Sequence, residues 1–397
     1  MNHSYFQQLN NTLKAHKRAI PSLLIDLDRL DQNLEVLQQS IAERMDFRIV
    51  VKSLPSIKLL DYVMERTGTN KLMVFHQPFL STLVQHYGSK VDLLLGKPMP
   101  MQTARYFYQT APKITNFQAS KQLQWLIDTE VRLQKYLELA KEVNQKLLIN
   151  VEIDVGLHRG GATDLEGLRS ILHLLVQNSD HLEFAGLMGY DPHVVSLPKL
   201  LRSPQKAFRM ANDFYKQCIE LIKNEFPGLW NEKLTFNGAG SPTLPLHKNP
   251  DSVLTEVSAG SALVKPTHFD IATLNDYAPA CFIATPILKK FEGTTLPILE
   301  KLKGILSTVK PAFKQSYFIY GGYWKADYCY PPKTSINSIF GASTNQSMIN
   351  TAAKIDLAVD DFVFLRPTQS EFVFLQFGDI LAIRNGKIEG EWGVLEN

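Results

Sequence analysis

Short runs of β-forming residues alternate with stretches of helical period over most of the chain. The β-rich runs are "FRIVVKS", "KLMVF", "VDLLL", "QWLIDT", "LLINVEIDVG", "LEFAGLMGY", "KLTFNGAG" and "LTEVSAGSAL". Between most of them the apolar residues recur every three or four positions, as in "SIKLLDYVMER", "EVRLQKYLELAKEVNQ" and "SPQKAFRMANDFYKQCIELIKNE". Strands joined by crossover helices are parallel and covered on both faces, which is why they read as apolar runs. Eight of them in about 220 residues are what a closed (β/α)8 barrel requires. The pattern therefore predicts a TIM-like barrel at about 45–270. Ahead of it, "SLLIDLDRLDQNLEVLQQSIAER" reads as a strand entering a helix that Asp28 or Asp31 can cap.

Beyond residue 275 the pattern changes. "PACFIATPILKKF", "SYFIYGGYW", "FVFLRP" and "EFVFLQFGDILAIRNGKIEGEW" are β-rich, and "RNGK" at 384–387 is a turn signal. The chain is thus of the α/β class, a barrel followed by a β-rich C-terminal domain. The predicted organisation is an N-terminal arm at 1–20, the barrel domain at 21–272 and the second domain at 273–397, with the strand at 22–27 open to either domain. "LKKFEGTTLPILEKLKG" reads as a surface excursion or a helix.

Composition narrows the function classes. The chain has 397 residues, 45% hydrophobic and 20% charged, with a formal net charge of +3, and its basic residues alternate with acidic ones. Such a balance argues against a nucleic-acid partner. No segment holds the roughly 18 consecutive apolar residues of a membrane span, and the start lacks a secretory pattern, so a cytoplasmic protein is expected. Cys218, Cys281 and Cys329 lie far apart without CxxC spacing, which fits free thiols in a reducing compartment.

In such a barrel the catalytic groups sit at the carboxyl ends of the strands. Lys52 closes the first strand. Desolvation there would favour its neutral amine, which can attack a carbonyl to form a Schiff base; a lysine that reaches to the rim or pairs with a carboxylate is the equal alternative. The fifth strand ends in "VEIDVGLHRGG", with Glu152, Asp154, His158 and Arg159, and the arginine suits a phenolate, carboxylate or phosphate oxygen. The sixth ends in "GLMGYDPH", with Tyr190 and His193. The seventh and eighth end in "FNGAGSPT" and "EVSAGSAL". Two successive turns of small residues before a short helix suit an anion, and the loops after strands seven and eight are the usual phosphate site of barrels.

Together these motifs resemble fold-type III pyridoxal 5′-phosphate enzymes of the alanine racemase-like superfamily, in the branch with D-threonine aldolase and D-serine dehydratase. "VVKS", "VEIDVGLHRGG", "GLMGYDPH", "FNGAGSPT", "TEVSAGSAL", "IYGGYWKAD" and "QFGDILAIRNGKIEGEW" follow that branch in order over nearly the whole chain. The resemblance implies a homodimer acting on a small-molecule amino acid. It makes Lys52, Arg159 and His193 the catalytic candidates, with Lys52 joined to the cofactor. Arg159, Tyr190, Gly238, Gly240, Ser241, Gly260 and Ser261 become its binding residues. The implied activity is that of a lyase, of deaminase or aldolase type, on a small D- or β-hydroxy amino acid. The alternatives are a broad-specificity racemase or epimerase and a non-catalytic cofactor or amino-acid binder.

Two departures stand out. Alanine racemases carry Arg-Pro-Gly in the eighth-strand loop, where this chain has Ser258-Ala259-Gly260. The aldolase and dehydratase branch usually carries a C-terminal His-x-Cys or His-x-Asp metal pair. Here no histidine follows His268, the last cysteine is Cys329, and no metal is expected. Arg366, Gln369 and Glu371 fall near the place of the missing motif, and Tyr323, Lys325 and Asp327 lie in "GGYWKADYC". For Glu371 an acid or base role stands against a solvated hairpin carboxylate.

Overall fold

The computed structural model describes residues 3–16, 18–110, 116–196, 203–292, 315–352, 355 and 357–396. Most of "LKKFEGTTLPILEKLKG" lies outside the described residues. The chain divides into two compact units, one made of the residues up to Asn33 with Leu263–Asp270 and Asn275–Val394, the other mainly of Leu34–Ala262.

The helix His3–Ala15 precedes β1 (Ser22–Asp26), which runs directly into the helix Leu27–Ser40. Asp26 caps that helix, accepting the Arg29 N–H at 3.0 Å, while Asp28 and Asp31 pair with Arg384 instead. The capping residue is the last of the strand because the strand enters the helix without a loop.

Eight strands then build the barrel: β2 (Asp46–Val50), β3 (Lys71–Val74), β4 (Asp92–Leu95), β5 (Leu123–Ile127), β6 (Leu147–Glu152), β7 (Leu182–Gly189), β8 (Thr235–Gly238) and β9 (Glu256–Ala259). They close in sequence order, and β9 returns to β2 in parallel with Asp46 opposite Glu256 and Ile49 opposite Ala259. Each β-rich run read from the sequence supplies one strand, since apolar residues on both faces favour a strand buried under helices.

Buried polar side chains also meet inside the barrel. Gln124 on β5 donates to Thr235 on β8 at 3.1 Å, and Asn150 on β6 donates to Gln124 at 3.1 Å. β5 and β8 are not neighbours in the barrel, so this contact crosses its interior. Nearer the amino ends, Arg48 is fully buried against Glu256, whose carboxylate also takes hydrogen bonds from Lys71 and Asn237. A barrel of eight strands is filled by its own side chains, and the polar ones among them here are bonded to one another.

In the other unit β1 pairs antiparallel with β10 (Cys281–Glu292) and parallel with β16 (Ile380–Arg384). The nine-stranded sheet also contains β11 (Gln315–Tyr320), β12 (Ala326–Tyr330), β13 (Thr334–Ile336), β14 (Gln346–Thr351), β15 (Phe362–Pro367) and β17 (Lys387–Trp392). Asn385 and Gly386, both at positive φ, make the tight turn between β16 and β17 that "RNGK" signals. The run "EFVFLQF" at 371–377 is not a strand. Ser370–Phe372 forms a 3-10 turn whose Ser370 carbonyl accepts the N–H groups of Val373 and Phe374. Val373 and Phe374 are both fully buried, a pattern without the alternation of a half-buried strand. Among the described residues no helix is long and apolar enough to cross a membrane.

Candidate active site

β2 stops at Val50, and Lys52 occupies the middle of a 3-10 turn, Val51–Ser53. This turn carries Lys52 out of the strand, and the residue is exposed. Its Nζ lies 4.5 Å from the centroid of Phe75, the residue after β3. The Phe75 ring lies over the end of β4, where a Cβ on Gly96 would come within 2.4 Å of it. Glycine at that strand end is thus what gives the ring its place.

After β6 the chain forms a loop closed by a bridge between Ile153 and Ala162. Asp154 organises it: one carboxylate oxygen accepts the N–H groups of Gly156 and His158, both at 2.9 Å, and the other lies 2.9 Å from His158 Nδ1. Burial opposes ionisation of Asp154, but these donors outweigh it and hold the carboxyl below its ordinary range. Arg159 projects from the loop, its guanidinium carbon 4.8 Å from the centroid of Tyr190, the residue after β7. A guanidinium held on an aromatic face keeps its N–H edge directed outward toward an anion. His193 is 7% exposed and packs against the same loop, since a Cβ on Gly156 would lie 3.0 Å from its Nε2. Gly156 also has φ +111, so two constraints fall on one residue.

The turns after β8 and β9 are joined. Ser241 Oγ accepts the N–H of Ala262 at 2.9 Å and that of Gly260 at 3.4 Å, and Ser261 Oγ donates to Ser53 Oγ at 3.0 Å. Ser53 thereby ties the segment that carries Lys52 to the eighth-strand turn. Gly240 faces Tyr190, whose ring edge would lie 2.7 Å from an added Cβ. Gly260 meets the Val50 carbonyl at the same distance. Gly238 has a different reason to be glycine: it is a strand residue packed on Leu254, 2.7 Å from where a Cβ would stand. The structure thus gathers Arg159, Tyr190 and Gly240 in one set of contacts, and Ser241, Gly260 and Ser261 in another that includes Ser53.

Glu152 is a further charged group of this mouth. It is half-buried on β6, with Gly160 folded over it so that a Cβ there would lie 3.5 Å from its carboxylate. Burial raises its pKa, and Asp128 and Asp154 add to the rise while Arg159 opposes it. Because the folded value is raised, the ionised carboxylate destabilises the fold above the unfolded value near about 4.3 and ceases to do so below it. Calorimetry is therefore expected to show Glu152→Gln melting about a degree above wild type at neutral pH, with the difference gone near pH 4. A variant that melts lower at neutral pH would mean that the charge is used to hold the loop.

Sequence reasoning passed over Phe75, Thr243, His247 and Asp191. Asp191 lay inside the quoted "GLMGYDPH", Thr243 at the end of "FNGAGSPT" and Phe75 at the end of "KLMVF", while His247 lay in none of them. Three candidates of the β-rich unit are engaged in its own packing: Arg366 makes a bidentate pair with Asp270 at 2.9 Å, Lys325 Nζ stands 3.7 Å over Phe372, and Asp327 accepts the Thr267 hydroxyl.

The family model described as alanine racemase, N-terminal domain, matches residues 25–267. The chain belongs to this family. Pyridoxal 5′-phosphate is accordingly its cofactor, and the protein is a pyridoxal phosphate-dependent enzyme. No curated protein matches it in sequence. Its fold is similar to that of D-threonine aldolase from Filomicrobium marinum, at 15% identity over 94% of each chain with a TM-score of 0.73. D-threo-3-hydroxyaspartate dehydratase from Delftia sp. HT23 superposes with a TM-score of 0.73 at 17% identity, over 95% of this chain and 97% of that one. Alanine racemase from Bacillus anthracis gives 0.69 at 12% identity, over 95% and 98%.

The turn after β8 of this alanine racemase family member fits a phosphate. Gly240 and Ser241 are buried, yet among the described residues their N–H groups donate to no acceptor, while the Gly240 carbonyl takes the N–H groups of Thr243 and Leu244 at 3.0 and 2.9 Å. Buried N–H groups are nearly always bonded, so a pair of them without an acceptor in one turn is the mark of an anion site.

Proposed function

We propose that the protein is an amino-acid lyase, of deaminase or aldolase type, acting on a small D- or β-hydroxy amino acid. The observation that carries the reading is the pair of buried, acceptor-less N–H groups of Gly240 and Ser241, contiguous through Tyr190 with the outward-facing Arg159. Two further facts favour a lyase over a racemase. The similar folds include an enzyme named for aldol cleavage of D-threonine and one named for dehydration of D-threo-3-hydroxyaspartate. Ser258, where alanine racemases carry arginine, is neutral, buried and bonded to Asn237 at 2.7 Å.

When bound, the cofactor supplies an aldehyde for a covalent link and a conjugated ring that delocalises the electrons left by a bond broken at the α-carbon. The chain's own groups do the rest. Lys52, an exposed lysine, would offer its amine for that link, and as a free amine it would take and return a proton. Gly240 and Ser241 donate to the phosphate; Arg159 donates to an anionic oxygen of cofactor or substrate. Tyr190 supplies a flat wall, and His193, buried beside the arginine loop, can hold a proton. Homodimer formation suits the exposed aromatics of the β-rich unit, Tyr323 at 69% and Phe372 at 42%, and a cytoplasmic location suits three free cysteines.

The test is incubation of the pyridoxal phosphate-loaded protein with a panel of D- and L-amino acids, with and without divalent metal, resolving products by chiral chromatography. A keto acid, or glycine with an aldehyde, from D-serine, D-threonine or D-hydroxyaspartate supports the lyase. Loss of optical activity without those products would replace it by a racemase, and no turnover at all would leave a binding protein.

A further inference from the structure

Directly behind Tyr190 lies a buried chain of four polar side chains with no place in the chemistry above. Asp191 is 2% exposed; one of its carboxylate oxygens accepts the Thr243 hydroxyl at 2.7 Å, and the other lies 2.9 Å from His247 Nε2. His247 Nδ1 in turn stands 2.8 Å from the Ser252 hydroxyl. Thr243, His247 and Ser252 are 0%, 5% and 5% exposed. Phe208 of the helix Pro204–Glu225 packs edge-on against the imidazole at 5.0 Å, which shuts out water. Burial opposes ionisation of Asp191, but His247 and Thr243 outweigh it and keep the carboxyl below its ordinary range.

The connectivity of this chain matters more than its strength. Tyr190 and Asp191 are consecutive in the loop after β7. Tyr190 lies against Gly240, while Asp191 grips Thr243 of the same turn and His247 of the 3-10 helix Leu244–Lys248 that follows it. Thr243 also donates its N–H to the Gly240 carbonyl at 3.0 Å, closing the turn that presents the Gly240 and Ser241 N–H groups.

We propose that Asp191, acting through Thr243 and His247, is a positioning residue for phosphate: it clamps the loop bearing Tyr190 to the turn bearing Gly240 and Ser241, and so sets affinity for the anionic tail of the cofactor. The inference rests on the cofactor reading, and it makes a distinction that general support of the fold would not. Pyridoxal has the same aldehyde and ring as pyridoxal 5′-phosphate but lacks the phosphate. A clamp on the phosphate turn affects only the second.

The experiment is a titration of the full chain with each vitamer, followed by visible absorbance, for wild type, Thr243→Val, Thr243→Ser and His247→Gln. Thr243→Val keeps shape and removes the hydroxyl. It is expected to weaken pyridoxal 5′-phosphate about 10-fold or more while changing pyridoxal affinity by less than about twofold, and Thr243→Ser is expected to restore the loss. His247→Gln keeps an N–H toward Asp191 and is expected to give the same phosphate-selective loss in smaller measure, so the clamp stays testable if Thr243→Val folds poorly. Wild-type affinity for pyridoxal 5′-phosphate in both variants, or equal losses for the two vitamers, overturns the clamp while sparing the cofactor assignment. A wild-type protein that takes up neither vitamer overturns both.

Discussion

Replacing Lys52 by alanine is expected to abolish the visible absorbance band that the protein develops with pyridoxal 5′-phosphate, and to lower turnover by about 10³-fold or more. The expectation follows from connectivity. β2 and β9 run side by side with Ile49 opposite Ala259, so Lys52 and the turn of Gly260 and Ser261 emerge from neighbouring strand ends. The Ser53–Ser261 hydrogen bond then holds these two segments together. Because Lys52 is exposed, its loss opens no cavity, and the variant is expected to melt within about a degree of wild type. The phosphate turn is untouched, so the variant is expected still to bind the vitamer without a covalent link, as dialysis with fluorescence detection would report. A retained band in Lys52→Ala would move the attachment to another amine, such as the exposed Lys58 or Lys97.

The second large effect lies inside the barrel. Arg48 is 0% and Glu256 1% exposed, and they form a bidentate pair at 2.5 and 2.9 Å. Lys71 adds a contact to Glu256 at 3.0 Å, and Asp92 one to Arg48 at 2.6 Å. Removing Glu256 leaves the buried Arg48 with Asp92 as its remaining carboxylate partner and strands Asn237, so Glu256→Leu is expected to destabilise the barrel by about 3–5 kcal/mol. Replacing both, as in Arg48→Met with Glu256→Leu, is expected to cost much less, since two desolvation penalties vanish with the attraction. Urea denaturation of the three proteins decides this; a double variant as unstable as the single one would show that shape, and not charge compensation, governs the site. The same pair sets an acid limit. Burial disfavours the charge of Glu256, but Arg48 and Lys71 outweigh it and lower the pKa. Its contribution is therefore complete above the unfolded value near about 4.3 and is lost as pH falls through the lower folded one.

Much of the architecture was legible residue by residue. Each of the β-rich runs became a barrel strand because apolar positions on both faces have only one stable use, burial between a sheet and its crossover helices. "RNGK" was legible because Asn and Gly tolerate the positive φ that a two-residue hairpin demands. The run 371–377 was misread for the opposite reason. Its consecutive apolar residues carry no period, and the choice between strand and 3-10 turn fell to the packing of Val373 and Phe374. Asp28 and Asp31 were plausible caps by type, yet a cap is decided by where the first free N–H points, and Asp26 was nearer.

The chemical site divides along a similar line. The residue types at the strand ends, a lysine, an arginine in a glycine loop and two small-residue turns, were legible in the sequence because each is a kind of group that the proposed site for a phosphate-bearing aldehyde calls for. Their supports were invisible to it. Asp191 and His247 are 56 positions apart, and Arg48 and Glu256 are 208 apart.

From its residues alone this chain determined that it would form a barrel, which strand ends would face the mouth, and that those ends would carry a lysine, an arginine and two turns of small residues. Periodicity and side-chain chemistry are local properties, and both are written in the order of residues. Tertiary structure alone decided that Lys52 would stand exposed, that Arg159 would rest on Tyr190, and that buried carboxylates would find their cations. Those outcomes depend on barrel closure and strand register, which bring distant positions within hydrogen-bond reach only once the whole sheet has paired.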